Sequence, residues 1–387
     1  MAANAPENLV ERYAAARIAD IAEQDRIALD GYLKLYKQAP DSEILADRLF
    51  DSAIRAGDMA TAVRAARALE LQNGGSNETA LLLFADAWRA KNWRMAGLAA
   101  DELEAGGSLA FMAPMLKSWV NVAQGRSAGL PEADAEADGF FAYYSADQRI
   151  YLDLASGQHT KAKLGLRNIA GQSGDHVRDV MIAGVHVFLE QDRAFAAALM
   201  RSAVGSTDVL PEKATEKLPA SQGLAALYAR ISAALTEQQL PAEGLLLARI
   251  ADWIAPSQAN IQLILVGALR GEGLTADALK MLERTQPASA YRLPLLEKRI
   301  DLLIASGNAA SALDIARHAA AISPKSVATK LLVARAHDAA GNLAAVVSTY
   351  REITGDSDFS ALVPRQQGAY RLLLAVALDR AGDWASA

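Results

Sequence analysis

The sequence of 387 residues contains no cysteine. This excludes disulfides, a thiol nucleophile and every cysteine-ligated zinc or iron–sulfur site. Aromatic residues are scarce, at 6% of the chain, and no apolar run reaches the ~18 residues of a membrane-spanning helix. Basic residues are not in excess either: the net charge is −6, which argues against nucleic acid and against a polybasic contact with a membrane surface.

Short turn motifs divide the chain into helical runs at a nearly constant interval. The steps between their first residues are 34, 34, 34, 32, 34, 48, 34, 34, 34 and 41, so that seven of the ten are 34. These turn residues are Glu23, Gly57, Lys91, Gly125, Gly157, Gln191, Gln239, Gly273, Gly307, Gly341 and Gly382. A fixed period of this length predicts an array of helical hairpins that stack on one another.

A column of small residues recurs five positions after each turn residue. Its members are Ala28, Ala62, Ala96, Leu130, Ala162, Ala196, Gly244, Ala278, Ala312, Val346 and Ala387. Nine of the eleven are Ala or Gly, which lets the second helix of a hairpin lie close against the first. Pro40, Pro256 and Pro324 each follow a turn residue by 17 positions, where a proline ends one unit and opens the next.

This pattern resembles the tetratricopeptide repeat (TPR), a helical hairpin with Gly-Asp-aromatic at the turn, small residues in both helices and a closing proline. The copies that match best are Gly57-Asp58 with Ala62, Gly307-Asn308 with Ala312 and Pro324, and Gly382-Asp383-Trp384 with Ala387. Larger residues, at Phe50, Phe84, Ile150 and Ile300, depart from it. The resemblance implies an all-α, right-handed α-solenoid of about ten complete hairpins plus a truncated eleventh.

Two longer steps divide the predicted array. The 48-residue step adds a polar stretch near Gly205, so we expect an N-terminal array over residues 9–204 (repeats 1–6), an insert or linker over 205–222 and a C-terminal array over 223–387 (repeats 7–11). The 41-residue step predicts a longer loop around 354–358. Because the sequence stops five residues after Gly382, we expect the last hairpin to be cut and more repeats to follow.

Residues with catalytic or metal-binding chemistry are scattered. The five His residues lie in different units without a two-His metal spacing, and no Walker-type loop or Gly-x-Ser-x-Gly motif occurs. The segment 271–276 imitates a dinucleotide fingerprint but follows a helical pattern instead of a strand. We therefore predict no enzyme, with no catalytic residue, no metal and no cofactor.

The predicted concave face, which first helices line in TPR arrays, changes character along the chain. Repeats one, two, nine and ten present charged residues, such as Asp51 and Arg335, whereas repeats three to six present Leu81, Trp88, Met112, Met115, Trp119, Tyr144, Tyr151, Met181 and Phe188. Aromatic and Met side chains suit the docking of an apolar peptide or helix, so these nine are the candidate groove. Two alternatives remain: they lie between helices as core, or the protein covers this face itself.

The resemblance implies a non-catalytic scaffold that binds another protein or peptide, without nucleic acid or an integral membrane segment, and with a homodimer as a further option. A likeness to long envelope-associated repeat proteins of alphaproteobacteria implies bacterial envelope assembly and a periplasmic location, with Ala2–Ala5 left after signal cleavage; the literal N-terminus indicates cytoplasm instead. The alternative function is the periplasmic repeat portion of a larger polysaccharide-export or secretion protein, and a third is an enzyme that wraps a polymer. In the scaffold hypothesis, Trp119→Ala weakens binding and leaves folding nearly intact.

Overall fold

The computed structural model describes residues 9–73, 75–127, 129–132, 139–205, 209–284, 289–356, 359–360 and 364–383. Within these residues the chain forms twenty α-helices, two short 3-10 turns and no strand. The helices are α1 Leu9–Ile21, α2 Asp25–Tyr36, α3 Glu43–Ala56, α4 Met59–Asn73, α5 Asn77–Arg89, α6 Trp93–Glu104, α7 Ala113–Ala123, α8 Gly139–Ser156, α9 His159–Ile169, α10 Asp175–Phe188, α11 Arg193–Val204, α12 Ala220–Glu237, α13 Pro241–Ile254, α14 Ala259–Gly271, α15 Thr275–Arg284, α16 Arg292–Ala305, α17 Ala309–Ile322, α18 Val327–Ala339, α19 Leu343–Thr354 and α20 Pro364–Arg380.

The backbone at the predicted turns confirms the repeat register. Ten of the eleven turn residues have φ between 54° and 79°, the left-handed conformation that ends a helix, and Gln191 is the exception. Three of the ten, at Glu23, Lys91 and Gln239, are not glycine. The fold therefore requires the left-handed turn even where the sequence lacks the residue that adopts it most easily.

The residue after the turn starts the second helix of several hairpins. The side-chain oxygen of Asn92 accepts the backbone N–H of Met95, and Asn308 does the same for Ser311. Asp58, Asp192 and Asn342 make the equivalent bond in their hairpins. In the hairpins other than that of Asp192, a left-handed residue followed directly by an Asn or Asp cap therefore closes one helix and opens the next within two residues.

The small-residue column lies in the core of the hairpins. Each of its ten described members is buried, whereas its last member, Ala387, and the turn residue Trp384 lie outside the described residues, as do parts of the two inserts, 206–208 and 357–358. The prediction of an all-α array of TPR-like helical hairpins is confirmed. The number of repeats and the hand of the array stay predictions.

The chain divides into two compact units, Met1–Leu274 and Thr275–Ala387. Small and aliphatic residues of α16, α17 and α18 form one core in the second unit: Ile300, Ala312, Ala316, Leu332 and Ala336. Residues of α18, α19 and α20 with Phe359 form another. The division of the array at residues 205–222 stays a prediction, and the described residues of that segment lie inside the first unit.

The described part of the predicted insert is attached to the first unit by backbone hydrogen bonds. The N–H of Thr215 donates to the carbonyl of His186 at 2.9 Å, and the N–H of Leu218 donates to the carbonyl of Leu154 at 3.3 Å. These bonds hold the segment against the ends of α8 and α10, just before α12 begins at Ala220. The insert thus fixes where the next helix enters the unit.

Candidate partner-binding surface

All nine residues of the predicted groove belong to the first unit, and all are buried. They lie on α5, the 3-10 turn before α7, α7, α8 and α10, and none is more than 7% exposed. Trp119 is fully buried, and its indole N–H donates to the side-chain oxygen of Gln148 at 2.8 Å. An accessible surface of nine apolar side chains is therefore absent from this part of the chain.

Helices α12 and α13 pack over α5, α7 and α8, which carry six of the nine predicted groove residues. Helix α12 packs against α7 and α8, and α13 packs against α3 and α5, so that one hairpin crosses the first helices of four earlier units. The Tyr228 hydroxyl donates to the carbonyl of Leu81 at 3.2 Å, and Leu224, Leu227 and Ile231 are at most 2% exposed. Burial raises the pKa of the Tyr228 hydroxyl well above its ordinary value, so the group stays neutral.

The closest approach of the two layers lies at Gly223 of α12. A Cβ atom at this position would lie 2.1 Å from the Trp119 ring, a distance that no side chain adopts. The missing side chain lets the helix backbone lie directly against the six-membered ring of the indole. Glycine at this position is therefore required by packing and not by a turn.

Charged groups anchor the other end of the hairpin. The Arg249 guanidinium of α13 donates to the backbone carbonyl of Arg55 at 2.9 Å. Arg55 forms ion pairs with Asp25, at 2.7 Å, and with Glu272, the residue that follows α14. The contact between the early hairpins and α12–α14 is thus apolar around Trp119 and Leu81, and it is ionic around Arg55.

The expectation of an accessible apolar groove is therefore wrong for this structure. Self-covering is seen at Leu81 and Trp119, which α12 contacts. Packing between helices is seen at Trp88, against Phe84 and Trp93, and at Phe188, against His159 and Phe195. The assignment of the nine residues to partner binding stays a prediction, and their burial argues against it.

An open cleft remains at the edge of this covered face, between the start of α8 and the end of α12. It has a volume of about 720 Å³. Its lining residues are Gly139, Phe140, Tyr143, Tyr144, Arg230, Ala234, Glu237 and Gln238. Phe140 and Tyr143 keep 65% and 58% of their surface exposed, so two aromatic rings are available here to a ligand; we call this site the aromatic cleft.

The rings of the aromatic cleft are held by their neighbours. Phe111 stacks on Phe140 and on Tyr144, with ring centroids 5.8 Å and 5.4 Å apart, and Tyr143 meets Tyr144 edge-on at 5.1 Å. The Arg230 guanidinium lies 4.9 Å from the centroid of Tyr143 and donates to its hydroxyl at 2.6 Å. The exposed rings therefore rest on an ordered support, which lowers the entropy lost when a ligand binds.

Buried charges lie behind the rings. Asp147 is 8% exposed, and its carboxylate lies 3.6 Å from Nε of Arg230. Burial raises the pKa of Asp147, while His176 and Arg230 lower it in part. Burial also lowers the pKa of His176, and Arg230 adds to this effect, so the imidazole is neutral at neutral pH. The opposite charges of Arg230 and Asp147 thus offset each other beneath the cleft.

Tyr144 is one of the nine residues predicted from the sequence, whereas Phe140, Tyr143, Arg230 and Glu237 are not among them. Tyr143 and Tyr144 follow Phe140 by three and four positions, about one helical turn, so this spacing brings both tyrosines next to Phe140 on α8. Arg230 and Glu237 share a face of α12 in the same way. What no spacing could show is that these faces meet, because they are separated by more than eighty residues of sequence.

Two structural observations concern other classes of function. No group of three His, Cys, Asp or Glu side chains in the described ranges could hold a metal ion. None of the helices in the described part of the chain is long and apolar enough to cross a bilayer.

Comparison with known proteins adds a likeness of fold and nothing finer. No family model and no curated protein matches the sequence. The TPR domain of P58(IPK) is 15% identical, with 96% of this chain and 97% of that chain covered and a TM-score of 0.27. The Naa15/Naa10 structure bound to HypK-THB is 12% identical, with 97% of this chain and 69% of that chain covered and a TM-score of 0.32. Yeast Tom70 is 10% identical, with 96% of each chain covered and a TM-score of 0.27.

TM-scores this low carry no argument about the course of the array, its partners or its activity. The architecture rests on the chain's own turn spacing, helix caps and buried small residues, described above. On those grounds the chain is a TPR-like helical-repeat protein.

Proposed function

We propose that this chain is a non-catalytic scaffold that binds another protein or peptide, and that the aromatic cleft is the docking site. The observation that carries this proposal is the pair of exposed rings, Phe140 and Tyr143, above a buried and hydrogen-bonded support. Rigid aromatic side chains contribute large contact area at low entropic cost and dominate binding energy at protein interfaces.

The rest of the first unit supports a role in positioning rather than in wrapping a ligand. Helices α12 and α13 pack onto α3, α5, α7 and α8, so the hairpins form a filled framework next to the cleft. Such a framework fixes the relative placement of α8 and α12, the two helices from which the cleft is built. A role in bacterial envelope assembly in the periplasm belongs to this proposal as a prediction from the sequence, as does the export-protein alternative.

The test is capture of a partner by the full chain from its source cells, followed by binding measurements with that purified partner. We expect the double variant Phe140→Ala/Tyr143→Ala to lower the affinity by about tenfold or more. The matched control is Leu71→Ala, which removes an apolar side chain that is 89% exposed on α4, outside the cleft. Equal affinity of the parent and the double variant would show that the aromatic cleft is not the docking site.

A further inference from the structure

One carboxylate of the aromatic cleft has no partner among the described residues. Glu237 ends α12 and is exposed, and no ion pair or hydrogen bond reaches its side chain there. It lines the same cleft as Phe140 and Tyr143. The site therefore combines an unpaired negative charge with two exposed aromatic rings.

The positive charge of the cleft is already engaged. The Arg230 guanidinium is paired with Asp147, lies over the rings of Tyr143 and Tyr144, and donates to the Tyr143 hydroxyl. It is also partly buried, with 18% of its side chain exposed. A ligand that approaches from solvent thus meets the charge of Glu237 before that of Arg230.

We propose that the aromatic cleft binds a segment of the partner protein that carries an Arg or Lys side chain. The cation lies against the exposed rings of Phe140 and Tyr143 and pairs with the Glu237 carboxylate, and the Gln238 amide is available to neighbouring backbone. This inference rests on the proposed function, because it names the partner chemistry of the same site.

Two observations on the chain itself support this chemistry. Aromatic faces attract cations, and the attraction grows where water is excluded. The same unit already uses this contact elsewhere: Arg230 lies over Tyr143, and the Arg89 guanidinium lies 4.3 Å from the centroid of Trp253. The net charge of −6 further favours the encounter with a basic segment over an acidic one.

The test is selection of peptides from a random displayed library on the full chain, on Glu237→Gln and on the charge reversal Glu237→Lys. We expect the parent to retain peptides with an Arg or Lys beside an apolar residue. For a synthetic copy of such a peptide, Glu237→Gln and replacement of the peptide's basic residue by Gln should each weaken binding by about three- to thirtyfold. Glu237→Lys should retain acidic peptides instead.

The controls separate this inference from the proposed function. Glu190→Gln removes an exposed carboxylate that does not line the cleft and should leave binding unchanged. Peptides that require Phe140 and Tyr143 but lack a basic residue would overturn the basic-ligand inference and support the docking site. Peptides indifferent to both rings would overturn both proposals. If no peptide is retained, the inference fails, and the affinity of the captured partner then decides the proposed function separately.

Discussion

The first helices of the two units present faces of opposite character. In the first unit, α5, α7 and α8 carry buried apolar side chains, and the chain folds α12 and α13 onto these helices. In the second unit, α16, α18 and α20 present charges that pair from one first helix to the next: Asp301 with Arg335, and Asp338 with Arg380 at 2.7 Å. Those side chains stay between 27% and 49% exposed.

The difference shows that the same kind of helical hairpin can carry either a covered apolar face or an exposed charged face. Exposure of an apolar face to water raises the free energy, so the face is stable only when something covers it, and here the cover is part of the same chain. A charged face keeps its hydration and gains little from pairing, so it needs no cover. The residue types at equivalent repeat positions therefore decide whether the face of a unit is covered by other helices or stays exposed to solvent.

The largest effect is expected when a buried side chain is removed from the apolar contact beneath α12. Trp119→Ala should lower the free energy of unfolding by about 3–5 kcal/mol, because it leaves a cavity under α12 and removes the partner of Gln148. This replaces the expectation, drawn from sequence, that the variant folds almost normally. Urea denaturation would measure the loss, and Leu71→Ala, at an exposed position, should change stability by less than about 0.5 kcal/mol. If Trp119→Ala lowered the free energy of unfolding as little as Leu71→Ala does, α12 would not be packed on Trp119.

The second prediction tests the close approach of α12. Gly223→Ala should destabilise by about 1–3 kcal/mol, since a methyl group would overlap the Trp119 ring and force the helix away. The matched control is Gly267→Ala in α14, where a Cβ atom would meet nothing within 4 Å; alanine should gain up to about 1 kcal/mol there through its helix propensity. Thermal denaturation of both variants would compare them, and a gain in both would contradict the contact.

The third prediction concerns the charged face of the second unit. Arg335→Ala should cost less than about 1 kcal/mol, because the pair with Asp301 is solvent-exposed, and the cost should shrink further in high salt. Lys325→Ala, at an exposed residue with no ion pair among those described, should show no salt dependence. A large, salt-insensitive cost of Arg335→Ala would show that this face is covered too.

The smallest effect is expected at the charged end of the first unit. Burial, and then the neighbouring Asp47, raise the pKa of Asp51 from 3.8 to about 6. The folded state thus binds a proton more tightly than the unfolded state, and this group lowers stability as pH rises from 3.8 through about 6. Asp51→Asn should be more stable than the parent above that range, by less than about 1 kcal/mol because 56% of the side chain is exposed. A gain that is the same at every pH from acid to neutral would contradict this origin.

Much of the fold could be predicted from the sequence because its signals are local. A left-handed turn residue, a cap one position later and a small residue five positions after the turn act within a single hairpin, where chain connectivity brings the interacting residues together. The side of each first helix that faces the array stays a prediction from the same register. Leu81 and Trp119 are both contacted by α12.

What covers that side was decided only by the tertiary structure. Gly223 contacts Trp119, and Tyr228 bonds to Leu81, across more than a hundred residues of chain; such contacts depend on the summed curvature of several hairpins, which no local pattern encodes. The aromatic cleft has the same origin, because Tyr143 and Arg230 meet only once α12 has been placed. The sequence alone determined the hairpins and their apolar and charged faces, and the tertiary structure decided which face is filled and which aromatic side chains remain exposed to bind a partner.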